Sequence, residues 1–395
     1  MFPRSTIPTG IKHGTVTVVF KKQMFEITTF RSETDYLDKR HPSKVEFVRD
    51  LSTDLERRDF TINALAVDLN TGEIIDQHEG LTDLNYHIIK AIGKAEERFD
   101  EDGLRLLRAC RFAAKLNFTI EKNTLKAMKD KCENIKPISE ERIHEELFKL
   151  LCSKYPKTGL ELLYQTGLLA IILPEFIPTV GMEQKGFHKY DVWTHTLLAT
   201  QASADNDFND YVRIASFFHD VGKGVTRALS DTGVYTFYNH EIEGEKLTKL
   251  ILKRLKSSNE EIKVISHLVR HHMFNYTTDW SDSAVRRFIN RVGLEYIPLL
   301  FQLRIADQIA IAGKPDFTSL EELEARIERI KQEQCALTLS ALKLDGNQLI
   351  ALGIPKGKLI GQILNYLLEQ VIEDPSLNES DKLTTLALSY YKALC

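Results

Sequence analysis

Three charged residues of this chain stand three positions apart, Asp102, Arg105 and Arg108, and together offer one carboxylate and two guanidinium groups. Around them apolar residues recur at helical spacing, at Leu104, Leu107, Cys110, Ala113 and Ala114. We therefore predict a helix over residues 99–114 with the three charged groups stacked on one face. Such a face presents acceptors and planar donors, which match the edge of a nucleobase. The competing interpretation is an amphipathic helix with a solvated ion pair.

A second group of candidate binding residues precedes and enters an apolar run at residues 60–66. Arg57 and Arg58 suit the oxygens of a triphosphate, because guanidinium groups bind phosphate in a planar, two-pronged way. Asp59 and Asn63 suit the hydroxyls of a ribose. The pattern predicts a nucleotide site, and the alternative is a surface charge cluster before a buried segment.

Histidines and aspartates form a third constellation between residues 185 and 330. They occur as Val192-Trp193-Thr194-His195, His219-Asp220-Val221-Gly222-Lys223, His240, His271-His272 and Ala306-Asp307. This order resembles the HD phosphohydrolase superfamily, and the resemblance implies a divalent metal held by His195, His219, Asp220 and Asp307. His240 and His272 are accessory candidates, with His271 as the alternative to His272. Any one of these histidines taken alone is more often a hydrogen-bonded core residue.

The chemistry of this donor set is that of a metal-dependent hydrolase. Mixed imidazole and carboxylate ligands suit Mn, Fe, Co, Ni, Zn or Mg without selecting one of them. The ion would activate water and polarise a phosphoryl group, and Lys223 would place positive charge beside the phosphate. The resembling subgroup implies 2′,3′-cyclic phosphates, 2′-nucleotides or phosphomonoesters as substrates.

The elements that must position these groups change from strands to helices along the chain. β-Rich segments at residues 14–20 and 24–30, separated by a polar turn, predict a strand pair. Residues 31–45 predict a polar loop, and helical patterns dominate from about residue 81 onwards. We therefore expect an α+β fold, with a small β-sheet head followed by an almost all-helical remainder.

Composition narrows the class of protein. With 395 residues, 43% of them apolar and 27% charged, the chain is long enough for two or more globular domains. We expect no membrane partner, because neither an apolar run of spanning length nor a secretory signal is visible. The five cysteines are scattered without a CxxC pair, which favours reduced thiols and a cytoplasmic location. A net charge of −4 requires any nucleic-acid contact to come from local patches.

The order and spacing of several motifs resemble the class II tRNA nucleotidyltransferases, the CCA-adding enzymes related to bacterial poly(A) polymerases. The resemblance extends over essentially the whole chain. The motifs that carry it are Thr9-Gly10-Ile11-Lys12-His13-Gly14, Glu26-Ile27-Thr28-Thr29-Phe30-Arg31, Arg57-Arg58-Asp59-Phe60-Thr61-Ile62-Asn63-Ala64, Glu101-Asp102-Gly103-Leu104-Arg105 and Glu141-Arg142-Ile143. It implies a partial nucleotidyltransferase head (1–80), a helical neck that binds nucleotide and RNA (81–150), a helical body with an HD domain (151–340) and a helical tail that contacts tRNA (341–395).

The same resemblance implies a function, the addition or repair of the 3′-terminal CCA of tRNA from CTP and ATP. Arg57, Arg58 and Asp59 would contact ribose and triphosphate, whereas Asp102 and Arg105 would hydrogen-bond the incoming C or A. Two Mg²⁺ ions would support in-line transfer. The motifs do not separate CCA addition from A-addition or poly(A) synthesis.

One departure from the family pattern bears on transfer. The family begins with a Gly-Gly stretch and an Asp-x-Asp pair that holds the Mg²⁺ ions, and neither precedes Thr9 here. Glu26 looks like the family's remaining carboxylate, and one acidic residue does not hold two cations. We therefore expect this polypeptide as written to add nucleotides poorly, as a truncated or split enzyme. The alternatives are a protein in which only the HD site works on RNA ends, and a non-catalytic tRNA-binding fragment.

Overall fold

In the computed structural model, residues 6–10, 14–34, 44–184, 189–231, 233–314, 317–333 and 336–394 are described. Short strands occupy the head and helices most of the remainder, which confirms the expected α+β class. The strands of the head are β1 (Thr6–Gly10), β2 (Thr15–Phe20), β3 (Gln23–Thr28), β4 (Arg31–Thr34), β5 (Lys44–Phe47), β6 (Leu65–Val67) and β7 (Ile74–Asp76). Its helices are α1 (Leu51–Glu56) and α2 (Gly80–Asn85).

A three-stranded antiparallel sheet with the order β1–β2–β3 begins the head. Lys21 and Lys22 connect β2 to β3, and both have positive φ (49° and 65°), as a two-residue hairpin turn prefers. Glu26 lies on β3 opposite Thr17 and is exposed. The hairpin forms where the sequence predicts it, and β1 adds a third strand that the sequence pattern did not indicate.

The loop expected over residues 31–45 is wrong at both of its ends. β4 and β5 pair antiparallel there, with Arg31 opposite Phe47, and residues 35–43 lie outside the described part of the chain. The backbone N–H of Arg31 also donates to Asp54 Oδ1 (3.3 Å), which ties β4 to α1. β4 contains only polar residues and β5 is only four residues long, so neither strand offers a long alternating pattern for sequence reasoning to detect.

The neck contains two short parallel strands, β8 (Ile88–Ile89) and β9 (Thr119–Ile120), and the helices α3 (Ala95–Glu101), α4 (Leu104–Leu116), α5 (Lys122–Asp130) and α6 (Glu140–Leu151). The single helix predicted over residues 99–114 is therefore wrong, because the chain breaks at Asp102 and Gly103. Asp102 is extended, and its carboxylate accepts from the Leu104 N–H (3.0 Å) at the start of α4. Gly103 lies so close to the backbone of Asn134 that a Cβ atom would overlap it.

The body is built from α7 (Pro156–Gln165), α8 (Leu168–Ile172), α9 (Val192–Asp205), α10 (Asp210–Phe218), α11 (Lys223–Thr226), α12 (His240–Arg254), α13 (Asn259–His271), α14 (Asp282–Val292), α15 (Ile297–Ala312) and α16 (Phe317–Gln332), with the strand pair β10 (Ala228–Leu229) and β11 (Tyr235–Thr236). At its centre Phe176 stacks on Phe217 (4.3 Å between ring centroids) and meets Phe218 edge-on (5.5 Å). Because Phe217 and Phe218 end α10, their packing positions the residues that follow. One apolar core includes residues from Phe60 to Leu337 and is shared by the neck and the body.

The tail contains α17 (Gly346–Ala351), α18 (Lys358–Glu373) and α19 (Ser380–Leu394), which enclose an apolar core of their own. Gly353 has a φ of 89° just after α17, a backbone conformation that commonly ends helices. None of the helices in the described ranges combines the length and the apolar character that crossing a membrane requires.

Arg286 of α14 connects the body to the tail, and its replacement by Met is expected to loosen α18. The buried guanidinium donates to the carbonyls of Ile372 (2.6 Å) and Glu373 (3.1 Å), which end α18 without helical partners. Losing these bonds should cost about 1–3 kcal/mol of local opening free energy, measured by amide hydrogen exchange in α18. The neighbouring Arg287 makes exposed ion pairs, so Arg287→Met should cost less than about 1 kcal/mol. Equal effects of the two variants would contradict the prediction.

Candidate functional site

Six side chains of metal-ligand type converge at one buried point of the body. α9 contributes one histidine, and the end of α10 contributes a second histidine and the aspartate after it. α12 begins with a third histidine, a fourth follows α13, and α15 supplies the other aspartate. Each of the six residues is between 1% and 7% exposed. In chain order they are His195, His219, Asp220, His240, His272 and Asp307.

These side chains form two groups of the size of a coordination shell. In the first group, His195 Nε2 lies 3.2 Å from His219 Nε2 and 3.0 Å from Asp307 Oδ1. In the second, His240 Nε2 lies 3.2 Å from His272 Nε2. Bonds of about 2.1 Å from a metal ion to two ligands at a right angle place those ligands roughly 3 Å apart. Each group is therefore spaced to hold a single ion.

Asp220 lies between the two groups and faces both of them. Its Oδ2 is 3.3 Å from His219 Nε2 and 3.6 Å from His195 Nε2. Its Oδ1 is 3.4 Å from His240 Nε2 and 3.8 Å from His272 Nε2. A carboxylate whose two oxygens face different ligand groups suits a bridge between two cations.

The backbone determines which nitrogen the rings present to the cluster. Nδ1 of His219 donates to a carbonyl three residues earlier (2.8 Å), and so do Nδ1 of His240 (2.9 Å) and Nδ1 of His272 (2.7 Å). A proton on Nδ1 leaves the lone pair of Nε2 directed inward, as in metal-ligating histidines. Two inward lone pairs at 3.2 Å repel each other unless a cation lies between them. The donor set therefore fits a divalent metal.

The charges around the cluster favour the metal-binding forms of both carboxylates and of His272, whereas the pKa of His219, which burial would lower, is raised by the charge of Asp220. Burial would raise the pKa of Asp220, but the charge of His219 outweighs it and holds that pKa well below its usual range. Burial would also raise the pKa of Asp307, but its hydrogen bond to His195 and the charge of His219 lower it instead. Burial and then the neighbouring His219 lower the pKa of His272 to about 3, so that this ring is neutral. Ionised carboxylates and neutral imidazoles are the forms that bind metal.

Lys223 is buried at the side of the cluster. Its ammonium donates to Asp220 Oδ2 and to Gln184 Oε1, both at 2.7 Å. The group predicted to place charge beside a phosphate is therefore held by one of the metal ligands. Sequence reasoning missed Gln184, because it lies 39 residues before Lys223 in a segment without a recognisable pattern.

An open cavity of about 620 Å³ adjoins the cluster. Three histidines and both aspartates of the cluster form part of its wall, so a ligand in the cavity would reach the candidate metal-binding atoms. Of the adjacent pair that the sequence left open, His272 joins the cluster. His271 instead meets His267 edge-on, with 4.5 Å between the ring centroids.

Three of the predicted nucleotide contacts meet where the head joins the neck. Asp59 accepts from Asn63 Nδ2 at Oδ1 (3.0 Å) and from Arg108 Nε at Oδ2 (2.7 Å). Arg108 also lies 3.6 Å from Glu146, which pairs with Arg111. Sequence reasoning missed Arg111, because it contacts Glu146 across 35 residues of chain.

Asp54 holds both predicted triphosphate ligands. Arg57 Nη2 lies 2.6 Å from Asp54 Oδ1, and Arg58 Nη2 lies 3.2 Å from Asp54 Oδ2. Sequence reasoning missed Asp54 as well, although its spacing of three and four residues from the arginines is the signal of a helical ion pair.

Asp102 and Arg105 do not share the helix face that the sequence predicts. Asp102 pairs with Arg142 (2.7 Å). Arg105 is 7% exposed and donates to the carbonyl of Arg57 (2.8 Å) and to the carboxylate of Glu101. The predicted face is wrong because the chain breaks between α3 and α4 and leaves Asp102 outside the helix. A contact of either residue with a base stays a prediction.

The described strands β1, β2 and β3 do not fit the Mg²⁺ pair that the family resemblance implies. Within their described residues, Glu26 is the single acidic side chain, and it is exposed. Mg²⁺ requires an octahedral set of oxygen ligands, and one carboxylate does not anchor two such ions. No step of transfer is therefore assigned to these three strands.

Three family models match successive parts of the chain. Residues 2–90 match the "Poly A polymerase head domain", and residues 117–179 match the "Probable RNA and SrmB- binding site of polymerase A". Residues 230–387 match "tRNA nucleotidyltransferase domain 2 putative". Together these models match residues in the head, the neck, the body and the tail.

Curated relatives and solved structures agree with these matches. The CCA-adding enzyme of Levilactobacillus brevis is 34% identical over 384 residues, which is 96% of this chain and 83% of the relative. The CCA-adding enzyme of Lactobacillus johnsonii is 51% identical over 165 residues, and the match spans 42% of this chain and only 41% of that relative's length. The structure of the Bacillus stearothermophilus CCA-adding enzyme in complex with CTP is similar with a TM-score of 0.69 and 25% identity, over 100% of this chain and 85% of that one.

Proposed function

This chain belongs to the CCA-adding enzyme family, and from that premise we propose that it binds tRNA 3′ ends with CTP and ATP for the addition or repair of CCA. The observation that carries the proposal is the 34% identity to the Levilactobacillus brevis enzyme over 96% of this chain. The similarity to a CTP-bound structure supports CTP as one of the substrates.

In this proposal the nucleotide binds where the head joins the neck. Arg57 and Arg58 would exchange Asp54 for the oxygens of the triphosphate, which is a stronger guanidinium partner when it binds in a two-pronged way. Asp59 and Asn63 are already hydrogen-bonded to each other (3.0 Å), so they form one polar unit that a ribose hydroxyl can join. The arginines would supply affinity, and this polar unit would orient the sugar.

Base selection is assigned to Asp102 together with Arg105. Arg142 holds the carboxylate of Asp102 at 2.7 Å, so this acceptor has a fixed direction before a nucleotide binds. Arg105 would reach a base only by leaving its partners in the structure, Glu101 and the carbonyl of Arg57. A pair of side chains in these positions would distinguish C and A from other bases without a template strand.

Substitutions at Arg58 and Asp102 should separate affinity from base selection. Arg58→Ala is expected to lower the affinity for all four nucleoside triphosphates alike, by roughly 10- to 100-fold. The substitution removes hydrogen bonds to the triphosphate, a charged group that all four share. Asp102→Asn should instead reduce the preference for CTP and ATP over UTP and GTP, because it changes a base contact. Isothermal titration with the four nucleotides measures both effects.

Lys94→Ala is the matched control for charge, because Lys94 pairs with Glu97 at the surface. It should leave all four affinities unchanged. A loss in Lys94→Ala equal to that in Arg58→Ala would mean that the effect is one of net charge. An unchanged order of affinities in Asp102→Asn would remove this residue from base selection.

The metal centre favours a second activity, and we propose that the body hydrolyses phosphate esters at RNA ends, among them 2′,3′-cyclic phosphates. The carrying observation is the pair of buried ligand groups joined by Asp220. Bound divalent ions, for which Mn, Fe, Co, Ni, Zn and Mg are all suitable, would activate water and polarise the phosphoryl group.

The protein's own residues would hold and orient the ester. The oxygen of water would add to phosphorus while one P–O ester bond breaks, and a proton of that water would pass to the released ester oxygen, which becomes a hydroxyl. Arg304 Nη1 lies 3.1 Å from Asp307 Oδ2 and lines the cavity, so it presents positive charge where a phosphate would enter. Lys223 adds a second cation on the same wall. Conversion of 2′,3′-cyclic AMP to the monophosphate is the assay for this activity.

A further inference from the structure

Tyr238 stands exposed at the edge of the cavity that leads to the metal centre. Its side chain is 79% exposed, although it lies only two residues before a buried ligand of the cluster. Asn239 causes this contrast, because its left-handed backbone (φ of 62°) turns the chain between the two. His240 is consequently directed into the cluster while Tyr238 stays outside it.

Met273 is adjacent in the chain to the other histidine of the second ligand group. It follows His272 directly, lines the same cavity and is 56% exposed. Two large side chains that are open to solvent therefore lie next to the second ligand group in the chain, the aromatic ring of Tyr238 and the flexible apolar side chain of Met273. A cavity that needed to admit only inorganic phosphate would have no use for this apolar surface.

The dimensions of the cavity also exceed those of a phosphate group. Its volume of about 620 Å³ lies within the range of roughly 300–1,000 Å³ that is typical for larger organic ligands. Cations line its inner part, where Lys223 and Arg304 lie near the two carboxylates of the cluster. The wall thus changes from charged at the metal ligands to apolar at Tyr238 and Met273, which matches a molecule with a phosphate at one end and a flat ring at the other.

We propose that Tyr238 and Met273 form a stacking shelf for the nucleobase next to the phosphate ester that the metal centre hydrolyses. The inference rests on the proposed hydrolase activity and specifies its substrate class as nucleoside phosphates. A base stacks on the ring of Tyr238 and contacts the thioether of Met273, while its phosphate extends towards Arg304 and the ligand groups. Stacking on a ring tolerates any base, so the shelf accepts different terminal nucleotides.

Kinetics with and without a base on the substrate test the shelf. Tyr238→Ala should raise KM for 2′,3′-cyclic AMP by roughly 5- to 100-fold, the effect of losing one base–aromatic stack, and leave kcat unchanged. Tyr238→Phe should restore KM, because the ring and not the hydroxyl makes the contact. For glycerol 1,2-cyclic phosphate, which has no ring, the three proteins should be alike.

A second pair of substrates distinguishes the sources of the nucleoside phosphate. If an RNA end is the substrate, an oligoribonucleotide that ends in a 2′,3′-cyclic phosphate should show the larger KM effect of Tyr238→Ala. If a free nucleotide is the substrate, the larger KM effect of Tyr238→Ala should instead be seen with 2′,3′-cyclic AMP. The control is Tyr86→Ala, since Tyr86 is a similarly exposed tyrosine of the neck, and it should change neither KM.

An equal rise of KM for the base-free ester, or no rise for 2′,3′-cyclic AMP, would overturn the shelf. If the metal-loaded wild-type protein hydrolysed neither 2′,3′-cyclic AMP nor glycerol 1,2-cyclic phosphate, the hydrolase proposal would fail. The stacking shelf would then be tested by measuring ligand binding. Tighter binding of 2′-AMP than of ribose 5-phosphate, lost in Tyr238→Ala, would support the shelf even then. Equal binding of the two would reject it.

Discussion

Asp220→Asn is expected to lose both metal ions, whereas His195→Gln should lose only the ion of the first group. Asp220 faces both groups with its two oxygens, and an uncharged amide offers only one of them as an acceptor. His195 contacts the first group, 3.0 Å from Asp307 Oδ1. After loading with Mn²⁺ and dialysis, mass spectrometry of the metal should find about two ions per wild-type chain, about one in His195→Gln and about none in Asp220→Asn.

The rate of hydrolysis of 2′,3′-cyclic AMP should fall more than about 100-fold in Asp220→Asn. Even the loss of a residue that only hydrogen-bonds to a metal ligand lowers metal affinity or activity by about 10- to 100-fold. His271→Gln is the matched control, because His271 is next to His272 but contacts His267 edge-on instead of joining the cluster. It should keep both ions and the rate. Equal metal content in wild type and Asp220→Asn would overturn the assignment of Asp220 as the bridge.

Gly222→Ala is expected to empty the second ligand group while the first still holds its ion. A Cβ atom on Gly222 would overlap the carbonyl oxygen of His240 and lie 2.6 Å from the backbone nitrogen of Gly244. Because both contacts are backbone atoms of α12, that helix must move away and take His240 with it. The overlap should cost about 3 kcal/mol of unfolding free energy, and about one Mn²⁺ ion per chain should remain after dialysis.

Gly224→Ala is the control for this substitution, because the nearest atoms to its added Cβ lie at an ordinary 3.6 Å. It should leave the metal content unchanged and alter the urea midpoint little. Retention of both ions in Gly222→Ala would contradict the close packing of this turn on α12. Loss of both ions in Gly224→Ala would show that any added methyl group in this turn disturbs the centre.

The cluster of six candidate metal ligands could largely be predicted from the sequence, because its members follow a pattern of residue types. The choice between His271 and His272 could not be made in this way. It depends on where α13 ends, since the helix ends at His271 and the next ring turns inward with its Nδ1 bonded to the carbonyl of Val269. Gln184 could not be found either, as its role follows only from the meeting of distant segments.

The neck shows where apolar periodicity is insufficient. Phe99 and Leu104 are both buried, so the pattern continues across the boundary between α3 and α4 and predicts one helix. The break itself depends on Gly103, which packs against the backbone of Asn134, and no local signal reports such a contact. The assignment of Asp102 and Arg105 to one face failed for the same reason, whereas Asp59, Asn63 and Arg108, which were chosen by residue type, do contact one another through Asp59.

The continuous core from Phe60 to Leu337 has a consequence for how RNA would be handled. The helices that carry the proposed nucleotide site (α4) and the proposed metal centre (α9, α10, α13 and α15) all contribute side chains to this one core, so we expect the two sites to keep a fixed separation. A repaired or damaged terminus would therefore pass from one site to the other only by release and recapture, or by bending of the RNA itself. In this arrangement the two sites would stay in place in the protein, and the 3′ end of the tRNA would move between them.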